Sequence, residues 1–328
     1  MHDFQTKYSL TNHGSPTARA FNTGLDFAGP FDFKSSPLRK SPLLKGYVCV
    51  FICFSTKAIH LEPCSELSTK AFQATFSRFV GRRGLPQRVF SDNGKNFVGA
   101  SGAYRQDFKR FLKESSDDIR SQYSIHGFEW QFLPPNAPHM GGLWEAAVKS
   151  FKLHFKRIVG SNSFTFEELA TLLARIEGML NSRPLSPMSD NPQELLALTP
   201  GHFLRGAPLI AAPEPQIDNL SLQNRWEKLK LLHQQFSQRW KDEYLKELHQ
   251  RYKWKISHHN LSVGDFVVIK NELLPPNEWR LGRVEKVYHG SDNKVRVADI
   301  RTQHGTLTRP IVKLCPLPSQ TDLSHPLP

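Results

Sequence analysis

The sequence predicts an α/β fold: a mixed sheet flanked by helices, then a helical connection, then a small β-barrel. Three observations carry this. Strand-like and helix-like segments follow in the order three strands, helix, strand, helix, strand, two helices, which suits a sheet covered by helices. Leu222, Trp226, Leu229, Phe236, Trp240, Tyr244 and Leu248 then trace one face of a long helix or helix pair. From Leu261 onward, short β-rich runs alternate with turns, the pattern of a small barrel.

Residues 1–15 are polar and aperiodic, a loose lead-in. Leu25, Phe27 and Phe31 alternate in a strand that bends at Gly29-Pro30. Residues 34–45 form a basic turn. Gly46–Thr56 is almost continuously apolar, so it reads as a strand buried on both faces, and Ala58–Pro63 as a short third strand closing an antiparallel meander. A helix opens at Ser68 or Thr69, with Phe72, Phe76 and Phe79 as its stripe and Gly81 and Gly84 at its end. Pro86–Phe90 is a strand leading into Ser91-Asp92-Asn93-Gly94. A helix over 97–114, interrupted at 99–103, and a strand over Phe128–Leu133 follow.

Pro134–Gly142 holds three prolines and two glycines and reads as an exposed loop. The rhythm then turns helical. Ala147, Phe151, Phe155 and Ile158 make one stripe, and Glu145, Lys149, Lys152 and Lys156 another. Thr165-x-x-Glu168 is a capping box for the next helix, which ends at Asn181–Pro184. These boundaries give a core over 16–205, an irregular then helical linker over 206–258, a barrel over 259–315 and a disordered tail over 316–328.

The chain has 43 Lys+Arg against 30 Asp+Glu, a net +13. The excess is shared: +8 over residues 1–210 and +5 over 211–328. A spread excess favours a long polyanion as partner. Four cysteines show no Cys-x-x-Cys and no disulfide framework, and Cys49 and Cys53, on one strand about 13 Å apart, are too distant to bridge. No segment reads as a signal peptide or membrane span, so a soluble, intracellular protein with no membrane partner is expected.

Three acids lie in unusual settings: Asp26 mid-strand, Asp92 at a strand end, and Glu145 at the start of the basic-edged helix. Each has a plainer reading. Asp before Gly-Pro forms turns, Asp-Asn-Gly is a hairpin signal, and Glu145 could simply support Lys149 along a solvated helix. Together they fit one arrangement. If the first strand pairs with the strand ending at Asp92, the two aspartates lie side by side and Glu145 is brought across from them. Carboxylates so gathered repel unless cations neutralise them, and hard oxygen donors suit Mg²⁺ or Mn²⁺.

Gly24-Leu25-Asp26-Phe27-Ala28-Gly29-Pro30-Phe31, Phe90-Ser91-Asp92-Asn93-Gly94 and Pro135–Lys152 resemble the integrases of retroviruses and long-terminal-repeat retrotransposons. Leu198-Thr199-Pro200-Gly201-His202-Phe203-Leu204, Trp279-Arg280-Leu281-Gly282-Arg283-Val284 and the 53-residue step from Asp92 to Glu145 look most like the BEL/Pao group. The resemblance spans roughly 16–315. It implies a ribonuclease-H-like core with a DDE triad, an SH3-like barrel, and two Mg²⁺ (or Mn²⁺) ions held by Asp26, Asp92 and Glu145. It further implies trimming of element DNA ends and strand transfer into target DNA, by a homo-oligomer that is nuclear when acting on chromosomal DNA. By the same resemblance Asn136, Lys149, Lys152 and Lys156 position DNA, and Lys270, Arg280, Arg283, Lys286, Lys294 and Arg296 form a DNA-contacting or assembly surface. The alternative for those cations is a solvated β surface.

The chain departs from the family in one respect. Only 25 residues precede Asp26, and His2 and His13 have no cysteine pair to complete the family's upstream zinc domain, so no zinc is expected. Two competing functions follow. One is a catalytically silent, host-adopted DNA-binding or assembly protein on the same scaffold. The other is a nuclease acting on RNA in RNA–DNA hybrids.

Overall fold

The computed structural model describes residues 21–38, 40–91, 102–132, 138–160, 162–189, 191–209, 224–255, 260–271 and 274–318, with the side chains of 102–108, 138–147 and 250–255 excepted. The fold is mixed α/β, with a mixed sheet, helices and an antiparallel C-terminal sheet. The chain divides into two compact units, one holding Pro16–Glu177 with Ile217–Phe236, the other Gly178–Gln216 with Ser237–Pro328. Among the described residues no helix is long and apolar enough to cross a membrane.

In the first unit, β1 (Asn22–Lys34), β2 (Leu43–Cys53) and β3 (Ile59–Cys64) form the antiparallel meander. β4 (Arg88–Ser91) joins β1 in parallel, and β5 (Glu129–Phe132) joins β4 in parallel, giving the order β3-β2-β1-β4-β5. A two-residue strand, β6 (Phe164–Thr165), pairs with the far end of β1. Period-two alternation splits β1 between two layers. Leu25 and Phe27 enter an aromatic core with Phe72, Phe76 and Phe79 of α1 (Thr69–Arg83) and with Phe111 of α2 (Gly102–Tyr123). Asp26, between them, faces the other layer. There α3 (Pro138–Val159) lays Phe155 edge-on against Phe31 at 5.0 Å, and α4 (Phe166–Asn181) buries Leu169, Leu172 and Ile176.

Helix ends obey local chemistry. Ser68 caps α1 by accepting the Ala71 N–H at 3.2 Å, and Gly84 ends it at φ 87°. Gly81 does not end the helix as expected; it lies exposed inside the last turn. The Thr165–Glu168 capping box is present in both directions, at 2.8 and 3.2 Å. Two further expectations fail. α2 runs to Tyr123, nine residues past 114, because Ser115, Ser116 and Ile119 are buried and Ser116 Oγ bonds back to the Lys113 carbonyl at 2.8 Å. α3 begins at Pro138 and takes in Gly141 and Gly142, which were read as loop. Proline is compatible with a first helical turn, where its missing N–H has no partner to lose. The proposed start of α2 near 97 lies outside the described residues.

In the second unit, β7 (Ser186–Pro187) pairs with β8 (Ala197–Leu198), and a short α5 (Pro200–Arg205) follows. The helical linker is a single helix, α6 (Arg225–Lys255), which begins in the first unit. Its stripe includes buried Leu229, Phe236, Trp240 and Leu248. Trp226, however, is 48% exposed, with Arg175 and Lys230 each 5.6 Å from its ring centroid. The C-terminal strands β9 (Phe266–Ile269), β10 (Arg280–His289), β11 (Val295–Thr302), β12 (Gly305–Pro310) and β13 (Leu314–Pro316) form one antiparallel sheet in the order β12-β11-β10-β9-β13. Gly282 is required in it, since a Cβ there would lie 2.4 Å from Ile300 Cγ2.

Candidate active site

Asp26 sits halfway along the first half of β1, between two residues packed into the aromatic core. The alternation therefore turns its carboxylate toward the α3 layer. Oδ1 accepts the Phe27 N–H at 2.7 Å, and Oδ2 accepts from Lys152 Nζ of α3 at 2.7 Å. The two side chains are 25% and 35% exposed, so this ion pair is open to solvent on one side.

The register of β1 against β4 ends at Leu25↔Ser91, one residue short of Asp26 on one strand and of position 92 on the other. The end of β4 is pinned, because Ser91 Oγ accepts the buried Trp130 Nε1–H at 3.0 Å. Asp92 and Asn136 lie outside the described residues. Position 145 is in α3, seven residues before Lys152. At 3.6 residues per turn that is two turns along the same stripe; its side chain lies outside the described set. Lys149 and Lys156 are exposed on α3. Among the described residues, no three His, Cys, Asp or Glu side chains are grouped to hold a metal ion.

The cations read from the C-terminal region divide into two kinds. Lys270 pairs with Asp242 at 2.8 Å. Arg283 donates to the Gly264 carbonyl at 2.9 Å and lies 5.3 Å from the Phe266 ring centroid. These two, and Arg296 through Asp292, are engaged within the protein. Arg280 is half-buried. Lys286 is exposed, 4.9 Å from the Tyr288 ring centroid, Lys294 is exposed, and Arg296 pairs with Asp292 at 2.6 Å.

A second charged cluster escaped the sequence reading. His60 of β3 is buried, with Nε2 3.0 Å from Glu62 Oε1 and Nδ1 3.0 Å from Glu177 Oε2 of α4. Arg78 Nε reaches Glu62 at 2.8 Å, Arg82 also pairs with Glu62, and Arg83 pairs with Glu177. They line a cleft of about 270 Å³ beside Phe166. Burial alone would lower the His60 pKa, but its bonds to Glu177 and Glu62 outweigh this and raise it above 6.5. Burial would raise both glutamates. His60 and Arg78 instead hold Glu62 below 4.5, and His60, Arg83 and the Leu61 N–H do the same for Glu177. The His60-x-Glu62 alternation and the Arg78/Arg82 spacing are visible in sequence. Glu177, over a hundred residues away, gives no local signal.

Residues 224–317 match a family of unknown function (DUF5641). No curated protein matches the chain. Among solved structures, the chain is similar to the simian T-cell lymphotropic virus intasome, imaged by cryo-electron microscopy with the PP2A regulatory subunit B56 gamma. The identity is 10%, with 91% of this chain and 79% of that chain covered and a TM-score of 0.33.

Proposed function

We propose that this protein is a DNA-joining enzyme of the DDE-integrase type. Asp26, Asp92 and Glu145 would be its metal-holding carboxylates, acting on element ends and target DNA. The observation that carries the reading is Asp26 itself. It is a carboxylate on the central strand, one residue past the stretch of β1 that runs level with β4, and it is ion-paired to the helix that carries position 145. The strand order β3-β2-β1-β4-β5, with β1 antiparallel to β2 and parallel to β4, supports a ribonuclease-H-like core.

The chemistry of the proposed donors, three carboxylates, would suit a hard divalent cation. Asp26 offers carboxylate oxygens, and its Oδ2 already takes a positive partner in Lys152. Asp26, Asp92 and Glu145 would hold Mg²⁺ or Mn²⁺, which would supply activation of an attacking hydroxyl and stabilisation of a leaving oxygen for displacement at phosphorus. The chain's own residues do the rest. Exposed Lys149 and Lys156 extend a cationic edge along α3 that suits a phosphate backbone, and Asn136 would orient the strand entering the site. Lys286 and Lys294 give the C-terminal sheet open charge for DNA or for a second copy, whereas Lys270 and Arg283 would have to give up internal partners first.

A second reading, a silent DNA-binding scaffold, is favoured by the Lys152–Asp26 pair, because the ammonium can neutralise the carboxylate without any metal. Incubating the purified chain with a labelled DNA end and Mg²⁺ or Mn²⁺, beside Glu145→Gln, separates the two. Joining by the wild type that the variant loses supports the enzyme. DNA retention with no joining supports the scaffold. Degradation of an RNA–DNA hybrid in its place would make the chain a nuclease.

A further inference from the structure

The turn between β1 and β2 takes no part in the site described above. Its sequence is Ser36-Pro37-Leu38-Arg39-Lys40 followed by Ser41-Pro42-Leu43-Leu44-Lys45, one five-residue phrase written twice, each with a Ser-Pro step and a trailing base. The tip projects into solvent: Leu38 is 72% exposed, Leu43 58% and Leu44 55%.

The two Ser-Pro hydroxyls are not equivalent. Ser41 Oγ is the knot of the turn, 2.8 Å from Ser35 Oγ and accepting the Ser36 N–H at 2.9 Å. Ser36 Oγ accepts one long bond, from the Leu38 N–H at 3.4 Å. Besides these contacts the tip is closed by a backbone bond from Ser41 N to the Leu38 carbonyl at 3.1 Å. Among the described residues the turn is held by few bonds, most of them solvent-exposed, and such a turn opens locally at small cost.

Positive charge gathers behind it. An Arg225 guanidinium nitrogen lies 3.5 Å from the carbonyl oxygen of Pro37, the residue after Ser36, while its other nitrogens hold Glu168. Lys228 sits below the ordinary lysine range because of burial and because Arg225 and Lys34 stand close by. Glu168 is the one acid facing these three cations among the groups that act on Lys228. Arg225 thus stands beside Pro37, one residue from a serine hydroxyl with one long bond, and Lys228 and Lys34 add to the positive charge around Arg225.

We propose that Ser36 is a phosphorylation site for a proline-directed serine/threonine kinase, and that its phosphate docks on Arg225, Lys228 and Lys34. Such kinases accept serine before proline, whose missing N–H needs no partner in their cleft, and they favour a base shortly downstream. In the transfer, Ser36 Oγ bonds to the γ-phosphorus of a nucleoside triphosphate held by the kinase. The bond from that phosphorus to the β-phosphate bridging oxygen breaks, the nucleoside diphosphate leaves, and the hydroxyl proton passes to the kinase's base. The product carries a charge of about −1.5 to −2 and three strong acceptor oxygens, matched to guanidinium and ammonium donors. The modified turn would thus be fastened to the start of α6, and the local positive excess cancelled.

The test uses the full chain, a cyclin-dependent kinase and ATP, with phosphate located by mass spectrometry and melting followed before and after. We expect phosphate on Ser36, its loss in the variant Ser36→Ala at this half-buried position, and a rise in Tm of about 2–4 °C on modification that Lys228→Ala removes. No incorporation, or incorporation at Ser41 in preference to Ser36, overturns the site. Phosphate on Ser36 with no rise in Tm, or with a rise that survives Lys228→Ala, overturns the docking.

Discussion

His60 is held between two buried carboxylates, which it helps to neutralise together with Arg78, Arg82 and Arg83. With its folded pKa raised, the stabilisation it contributes is complete below its ordinary value of 6.5 and lost as pH climbs through the folded value. Glu62 and Glu177, with lowered pKa values, act the other way: their contribution is complete above 4.5 and lost as pH falls through their folded values. The cluster is therefore most stabilising between about pH 4.5 and 6.5. The Tm gap between wild type and His60→Gln should be widest there and narrow as pH rises beyond 6.5; a gap that stays flat from pH 5 to 9 would show that His60 is neutral in the fold. Gly46 is a second residue whose neighbour decides its identity. A Cβ on it would lie 1.7 Å from the buried Phe33 ring. Gly46→Ala should cost about 1–3 kcal/mol by overpacking. Adding Phe33→Leu to that variant should recover part of the loss in denaturant melts, because the space the methyl needs is then free.

At the scale of the element, β3 shows how an edge strand is closed. It lies at the end of the sheet, yet all six of its residues are buried. Two of its outward groups are taken, the Leu61 N–H by Glu177 Oε2 at 2.9 Å and the Pro63 carbonyl by Arg78 at 2.7 Å, while Pro63 has no N–H to offer. Open edges invite pairing with other chains, and a proline with a covering carboxylate blunts this one. Glu177→Ala removes that cover and leaves Leu61 N–H, His60 and Arg83 without it, at a cost of about 3 kcal/mol. A loss under 1 kcal/mol in urea titration would mean that water satisfies these groups equally well.

Elements were legible where one local rule acted alone. The antiparallel meander, the Ser68 and Thr165 caps and the long α6 follow from alternation, capping residues and helical period. They were misread where tertiary contact overrode a local signal. The helix expected over 97–114 continues to Tyr123, because buried Ile119 and the bond from Arg120 to the Trp130 carbonyl keep it going. β13 was missed because three residues, Leu314–Pro316, become a strand only by pairing with β9, whose sequence lies forty-five residues earlier.

For the whole molecule, the question is how residues far apart in sequence come to act together. Asp26 was picked out because a lone acid mid-strand is costly unless something meets it, and Lys152, 126 residues on, is what meets it here. That pairing partner could not be read from spacing, since Lys152 looked like one more member of a cationic edge. The pair also sets up a competition. If Asp26 is a metal-holding carboxylate, a divalent ion must displace the Lys152 ammonium from Oδ2. Removing the ammonium then costs a little stability without metal, about 0.5–1 kcal/mol for a half-exposed pair, and strengthens the response to metal. Magnesium binding to the folded chain alone raises stability by mass action, about 2.7 kcal/mol at a hundred times its dissociation constant. A thermal melt series in Mg²⁺ should therefore show the wild type stabilised, Lys152→Ala reaching half its shift at a several-fold lower Mg²⁺ concentration, and Asp26→Asn unmoved. Identical magnesium responses in all three proteins would remove Asp26 from any metal site, and with it the chemistry assigned to this end of the sheet.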